Sequence, residues 1–312
     1  MMNLFTITYP ISIFILLFGL VVGFIISFFV FGLFSAVCVF FLLCIGSLRI
    51  MPVIDIVCSF LQSLFPTRIE TLVQNLRKSF PVMYSEKGRP SSPCIYLFHP
   101  HGLFTISHYL HIGTHATDWE DTNSKGTALH LLWWLPFGKE ILEARRFVPS
   151  HYADMKRVLD HQQSLSVTLG GVREMPMTCD NKMILNIGKK RGIFKMALET
   201  GAPLVPVIVY GENEIYQQSE NWLLHRINQF LLRYNIYVPI PKWKSCRSWL
   251  SLFQRPLEHP VRTYVGPSIA VTKKEIPTEE DIIALREQYF SELRGLYEAT
   301  RPSSYDKELY IV

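Results

Sequence analysis

Charge is missing from one end of this 312-residue chain. No Asp, Glu, Lys or Arg precedes Arg49, so all 57 charged side chains (31 basic, 26 acidic) fall in the remaining 264 residues. That remainder is 22% charged, close to ordinary soluble-domain usage. The first part excludes a purely soluble protein, and the second excludes a polytopic channel or transporter. Cysteine is scattered: Cys38, Cys44, Cys58, Cys94, Cys179 and Cys246 form no C-x-x-C pair. That excludes a disulfide framework or zinc ribbon and points to reduced thiols on a cytosol-facing domain. H-E-x-x-H and G-x-S-x-G are both absent, which removes the zincin motif and the serine-hydrolase elbow. At 49% apolar and 13% aromatic the chain is too hydrophobic for disorder. Its net charge of +5 is mild and suits a surface resting on anionic lipid or meeting an acidic substrate.

The uncharged end contains an apolar run from 11 to 48. As one helix it would be about 57 Å long, against a hydrocarbon core of roughly 30 Å. Two short helices turning near residues 27–32, or one span with an apolar extension, would accommodate it; the hairpin is the expectation. A cleaved signal peptide needs a basic leader and a short core, and neither is present. Arg49, Arg68, Arg77 and Lys78 follow the run and place the domain on the cytoplasmic side. The expected organisation is therefore a membrane segment over 1–48, a helical connector over 49–93 and a globular domain over 94–312. In the connector, helices are expected over 50–65 and 67–79, ending in a loop over 87–93.

In the globular part, apolar runs at 94–98, 164–169 and 203–210 read as buried strands, with a weaker one at Arg262–Val265. Helical patterns lie at 154–163, at 193–200 ahead of Gly201, and at Glu279–Thr300 behind a Thr278 cap. This alternation predicts an α/β layered domain with at least partly parallel strands. The stretch 221–255 holds six basic residues, no acidic one, and three tryptophans (Trp222, Trp243, Trp249). It reads as a membrane-interface surface, with ordinary packing and single-stranded nucleic acid as alternatives.

Polar residues collect where these strands stop. His99-Pro100-His101-Gly102 follows the first strand. Pro100 keeps His99 extended, and imidazoles held at a strand end suit general-base work, unless they are simply a turn with two exposed histidines. Gly170-Gly171-Val172-Arg173-Glu174 follows the second. Its glycines allow N–H groups to converge on an oxyanion, and Glu174 offers a carboxylate to a nearby His; a plain turn is the bland alternative. Lys189-Lys190-Arg191-Gly192 opens a helix and suits phosphate, or merely a solvated basic start. Gly211-Glu212-Asn213 closes the third strand. His108, His111 and His115 share helical spacing, but without a close carboxylate or cysteine set the metal reading is set aside.

Taken together these segments resemble the type 2 diacylglycerol acyltransferase family, which also includes monoacylglycerol and wax-alcohol acyltransferases. Phe80-Pro81 resembles its Y-F-P, and HPHG at 99–102 is its signature. Gly170-Gly171 with Glu174 resembles G-G-x-x-E, and Lys190-Arg191-Gly192 with Ala197 resembles R-K-G-F…A. The segment 203–213 resembles L-V-P-V-F-x-F-G-E-N. The chain departs at Ser79, at Ile193 and at Gly266-Pro267-Ser268, which bears on acceptor selectivity. It also lacks the H-x4-D of related glycerolipid acyltransferases, since Phe104 and Ile106 stand five residues after His99 and His101.

The resemblance implies a glycerolipid-acyltransferase-like α/β fold with a mixed sheet. It implies transfer of a fatty acyl group from acyl-CoA to a neutral lipid hydroxyl, diacylglycerol first. Monoacylglycerol or a fatty alcohol as acceptor, and a non-catalytic lipid-binding protein of the same fold, are the alternatives. A lysophospholipid-type acyltransferase and a metal-dependent membrane hydrolase are the other rivals. His101 is the expected base, with His99 positioning it or the substrate, the two roles being exchangeable. Glu174 is the candidate orienting carboxylate, and Gly102, Gly170 and Gly171 the oxyanion donors. Lys190 and Arg191 would meet the CoA phosphates, while Pro100, Glu212 and Asn213 would support the site or the acceptor. No metal and no cofactor are implied, acyl-CoA being a substrate. The implied partners are acyl-CoA, the lipid acceptor and the membrane; a homodimer is compatible, and nucleic acid is not among them. The implied location is the endoplasmic reticulum membrane with the domain facing the cytosol, the lipid droplet being compatible as well.

Overall fold

The structure is a computed structural model and describes residues 66–85, 93–114, 116–134, 138–178, 182–218, 221–239, 241–243 and 256–312. The apolar segment 1–48, the helix expected over 50–65 and His115 lie outside the described residues. Among the described residues no helix is long and apolar enough to cross a membrane.

A seven-stranded mixed sheet organises the domain. In chain order its strands are β1 (Val82–Tyr84), β2 (Ile95–His99), β3 (Lys125–Ala128), β4 (Phe147–Pro149), β5 (Leu165–Thr168), β7 (Leu204–Tyr210) and β10 (Arg262–Val265). They lie in the order β1-β10-β7-β2-β5-β3-β4. Only the β10–β7 pairing is antiparallel. The two strands with the strongest apolar runs, β2 and β7, are neighbours and buried along their whole length, as expected of parallel strands covered on both faces.

The pleat divides their side chains between two cores. Tyr96, Phe98, Val205, Val207 and Val209 face helices α1 (Pro66–Ser79) and α2 (Ile106–Thr114). Ile95, Leu97, Leu204 and Ile208 face α4 (Tyr152–Asp160), α5 (Gly192–Thr200) and α7 (Glu279–Thr300), the last two contributing Phe194, Leu285, Tyr289 and Leu293. The short α3 (Gly138–Ala144) precedes β4. Two features follow the sequence closely. Thr278 and Asp281 form a capping box at the start of α7, and α5 ends at Gly201 with φ +76°.

The helix expected over 67–79 is present as α1. Leu72, Val73 and Leu76 of α1 pack into the first core, and β1 pairs with β10. Residues 66–85 thus pack against the sheet. Ser79, one of the departures from the family pattern, is fully buried there; its Oγ accepts from Leu257 N at 2.9 Å.

Two small pairings lie outside the main sheet. β6 (Lys182–Leu185) runs parallel to β11 (Glu308–Ile311). β8 (Tyr216–Gln218) and β9 (Pro241–Trp243) form an antiparallel ribbon that encloses α6 (Trp222–Leu231).

Candidate active site

Because β5, β2 and β7 are adjacent and parallel, their C-terminal ends share one edge of the sheet. The motif after each strand therefore arrives at the same place. Ligands bind at such edges in α/β sheets.

The two histidines of the first motif part company there. His99 is the last residue of β2 and falls on the same face as Ile95 and Leu97. It is fully buried, and its Nε2 lies 2.7 Å from the Tyr289 hydroxyl of α7, while Nδ1 has no hydrogen bond. Burial lowers its pKa to about 3, so the ring is neutral. The His99–Pro100 peptide is cis. His101 lies beyond the strand and is partly exposed. Its Nδ1 is 3.0 Å from the Gly102 carbonyl. A carbonyl only accepts, so Nδ1 carries the proton and Nε2 keeps its lone pair. Burial is the main influence lowering the pKa of His101; the Lys190 charge adds to it and the Gly102 carbonyl opposes it. The ring is therefore a neutral base near neutral pH.

Glu174 reaches this loop from the end of β5. Its Oε1 accepts the backbone N–H of His101 at 2.6 Å, and Oε2 accepts that of Asn186 at 3.0 Å. The carboxylate thus fixes the main chain that carries the imidazole and does not touch the ring. Burial raises its pKa to about 7, against the pull of both N–H groups and Lys190. Gly170 is required by contact, because a Cβ there would overlap the Glu174 carboxylate. Gly171 has φ +62°.

From the end of β7 comes Glu212, also buried. Its oxygens accept Ile106 N–H at 2.7 Å, Ser107 N–H at 3.3 and 3.4 Å, and the Ser107 hydroxyl. It therefore caps the N-terminus of α2, the helix that follows the HPHG loop. Burial raises the pKa of Glu212 to about 7 as well. Gly102 has φ +64°, and a Cβ on it would crowd Asn213 Oδ1 and Glu212 Cγ, each at 3.1 Å. Asn213 Oδ1 is buried without a partner.

The basic pair is split. Lys190 is half-buried, and its charge is felt by both His101 and Glu174. Burial and the Arg173 charge lower its own pKa, and Glu174 opposes them. Arg191 is exposed at the cap position of α5 and pairs with Glu279 at 2.8 Å, away from the histidine loop. His108 and His111 are core residues. His111 holds Thr117 Oγ1 at 2.9 Å and Thr263 Oγ1 at 2.7 Å, and His108 Nε2 lies 3.3 Å from the Ser166 carbonyl. Among the described residues no group of three His, Cys, Asp or Glu side chains could hold a metal ion.

Sequence reasoning did not find Tyr289 or Asn186. Tyr289 carried a signal: it interrupts the apolar stripe of α7 with a hydroxyl that needs a partner once buried. Asn186 contributes only a main-chain N–H, which no side-chain pattern reveals.

Known proteins resemble the chain over most of this domain. The profile of the family described as diacylglycerol acyltransferase matches residues 49–309. The chain is 27% identical over 247 residues to diacylglycerol O-acyltransferase 2-like protein 6 of Mus musculus, covering 73% of this chain and 72% of the relative. It is 27% identical over 244 residues to human (Homo sapiens) 2-acylglycerol O-acyltransferase 1, with 73% and 72% covered. It is also 27% identical over 239 residues to human acyl-CoA wax alcohol acyltransferase 1, with 72% of each covered. The crystal structure of the 1-acyl-sn-glycerophosphate acyltransferase from Thermotoga maritima superposes over 92% of this chain and 97% of that one. Its identity is 16% and its TM-score 0.43, too loose for residue correspondences. The chain belongs to the diacylglycerol acyltransferase family and is an acyl-CoA-dependent O-acyltransferase acting on neutral lipids.

Proposed function

We propose that this protein moves a fatty acyl group from acyl-CoA to the free hydroxyl of diacylglycerol, giving triacylglycerol. The observation that carries this reading is the state of His101: a neutral imidazole, its Nδ1–H held by Gly102, its backbone held by Glu174, its Nε2 left with a lone pair. Nε2 removes the proton from the acceptor hydroxyl as that oxygen attacks the thioester carbonyl. The tetrahedral intermediate collapses with rupture of the C–S bond, and the imidazolium returns its proton to the departing CoA sulfur. The thioester is already activated, so no acyl-enzyme is required. Backbone N–H groups of Gly102 or of Gly170-Gly171 hold the oxyanion. Lys190 meets a CoA phosphate, with Arg191 further out along the same chain. Asn213, beside Gly102, supports the loop that carries His101. His99, held by Tyr289 on the other side of the pleat, positions the loop through Pro100 and takes no proton.

The uncharged segment 1–48 supports an anchor in the endoplasmic reticulum membrane with the domain on the cytosolic side, a location compatible with lipid droplets. A bilayer-borne acceptor gives that anchor its purpose. Relatives of equal identity include 2-acylglycerol and wax-alcohol acyltransferases, so monoacylglycerol and fatty alcohol are the competing acceptors.

The test is to offer membranes containing the full chain labelled oleoyl-CoA with diacylglycerol, monoacylglycerol, fatty alcohol and lysophospholipid in parallel. Labelled triacylglycerol is expected, and His101→Ala should reduce it about 10²–10⁴-fold. A different labelled ester would reassign the acceptor. Activity above a tenth of wild type in His101→Ala would remove His101 as the base, and no product from any acceptor would favour the non-catalytic lipid-binding reading.

A further inference from the structure

The helix α6 breaks the pattern by which the rest of the domain is packed. An amphipathic helix in water turns its apolar stripe inward. In α6 the only buried side chain is polar: Asn228, whose amide donates to and accepts from the Val238 backbone, each at 2.9 Å. Leu224 and Leu231 are half-buried on the side of Asn228, and the other apolar residues point outward. Trp222 is 69% exposed, Phe230 55% and Tyr234, just past the helix, 65%; Leu223 and Ile227 are exposed with them. Leu223, Ile227, Phe230 and Tyr234 are spaced i, i+4, i+7 and i+11, which makes one continuous stripe. Arg226 and Arg233 lie on the adjoining stripe with Trp222. No acidic residue occurs from Asn221 to Pro239.

The helix is nevertheless built to exist. Asn221 caps it by accepting from Leu223 N and Leu224 N at 3.0 and 3.1 Å, and the β8–β9 ribbon pins both its flanks. Its position is fixed at two points relative to the site. β8 begins three residues after Asn213, and Arg173 of the Gly170–Glu174 loop donates to Asn235 Oδ1, at the turn closing the helix, at 3.0 Å.

We infer that α6 is a bilayer-contact helix: its outward face of Trp222, Leu223, Arg226, Ile227, Phe230 and Tyr234 lies in the headgroup zone beside the catalytic loop and marks the side from which a bilayer-borne acceptor reaches His101. Three observations favour lipid over a protein partner. The face mixes aromatic, aliphatic and guanidinium groups, as an interfacial helix does. It carries cations and no anions, which suits an acidic lipid surface. The chain also carries 48 uncharged residues ahead of the domain, which holds the domain near a bilayer whichever way that segment is arranged.

The part of this inference that concerns the acceptor rests on the acyl-transfer reading, whereas the lipid contact does not. Benzoylphenylalanine is placed at Phe230, at Leu223 and, as a control on an exposed apolar site elsewhere, at Ile276 (87% exposed). The full chain is reconstituted into vesicles of labelled phosphatidylcholine with phosphatidylserine and irradiated. Lipid adducts at 223 and 230 but not at 276 are expected. Adducts to the chain's own first 65 residues or to a second copy, or none to lipid, would overturn the inference. In a second arm, the Leu223→Glu, Phe230→Glu double variant is assayed on long-chain diacylglycerol in vesicles and on a short-chain diacylglycerol in detergent. Loss of roughly tenfold or more on the vesicle substrate alone is expected; an equal loss on both would overturn it. Lipid adducts in a protein that transfers no acyl group would refute the acyl-transfer reading and leave the bilayer contact standing.

Discussion

Two polar–apolar arrangements of opposite sense sit side by side in this domain. The side chains of β2 and β7 are buried and largely apolar, and the loops beyond β5 and β7 carry carboxylates that have left water. Glu174 fixes the amide of His101, and Glu212 caps α2. In the ribbon that carries α6, a polar Asn228 is inside and aromatic rings are outside. Both use hydrogen bonds to hold the backbone, but they assume different solvents. The strand ends keep their carboxylates out of water beside the imidazole proposed as the base. The ribbon reads as organised to meet hydrocarbon and headgroups.

The comparison is sharpened most by truncating one phenylalanine in each region. Phe98 packs against His108, His111 and Trp119 and is 1% exposed, so Phe98→Ala should cost about 3–5 kcal/mol. Phe230→Ala should stay within ~0.5 kcal/mol when unfolding is followed in detergent. Equal costs would erase the distinction.

A smaller effect concerns the buried caps. Glu212 has its pKa raised from 4.5 to about 7, so between those values the folded state holds a proton that the unfolded state has released. Stability therefore falls as pH rises through that window. Glu212→Gln keeps an acceptor for the α2 amides and cannot ionise. Its unfolding free energy should fall less than wild type from pH 4.5 to 7, Glu174 supplying the slope that remains. An unchanged slope would show that Glu212 is not the group responsible.

The smallest effect is electrostatic. The Lys190 charge helps to lower the pKa of His101, so Lys190→Met should move the acidic limb of kcat/KM to higher pH. A limb that stayed in place, or moved down, would mean that His101 is not the group titrating.

Much of the sheet was legible because β2, β5, β7 and β10 are apolar or β-branched runs that end at clear breakers. The convergence of His101, Glu174 and Glu212 follows once those strands are parallel neighbours. Weaker elements escaped. β3 reads Lys-Gly-Thr-Ala and is a strand because the Phe147 ring packs where a Cβ at Gly126 would stand; that contact is remote in sequence. α2 was obscured by its histidines, whose helical spacing drew attention to a metal reading that was set aside; His108 and His111 are held within the core. The division of labour between His99 and His101 was left open by the sequence. Alternation places His99 on the Ile95 and Leu97 face toward α7; it would set His101 on that face too, but the strand ends at His99 and the chain turns at Gly102 (φ +64°).

The antiparallel pairing of β8 with β9 has a consequence for how such a domain can change. Paired strands lie only about 5 Å apart, so the segment between Gln218 and Pro241 leaves and rejoins the fold at nearly one point. An excursion with adjoining ends can be lengthened, shortened or exchanged without displacing what lies beneath it. Within this architecture the surface presented by the excursion is free to diverge among descendants while the strand-end residues stay in register, and a chimera that swaps only this module is the natural unit for engineering.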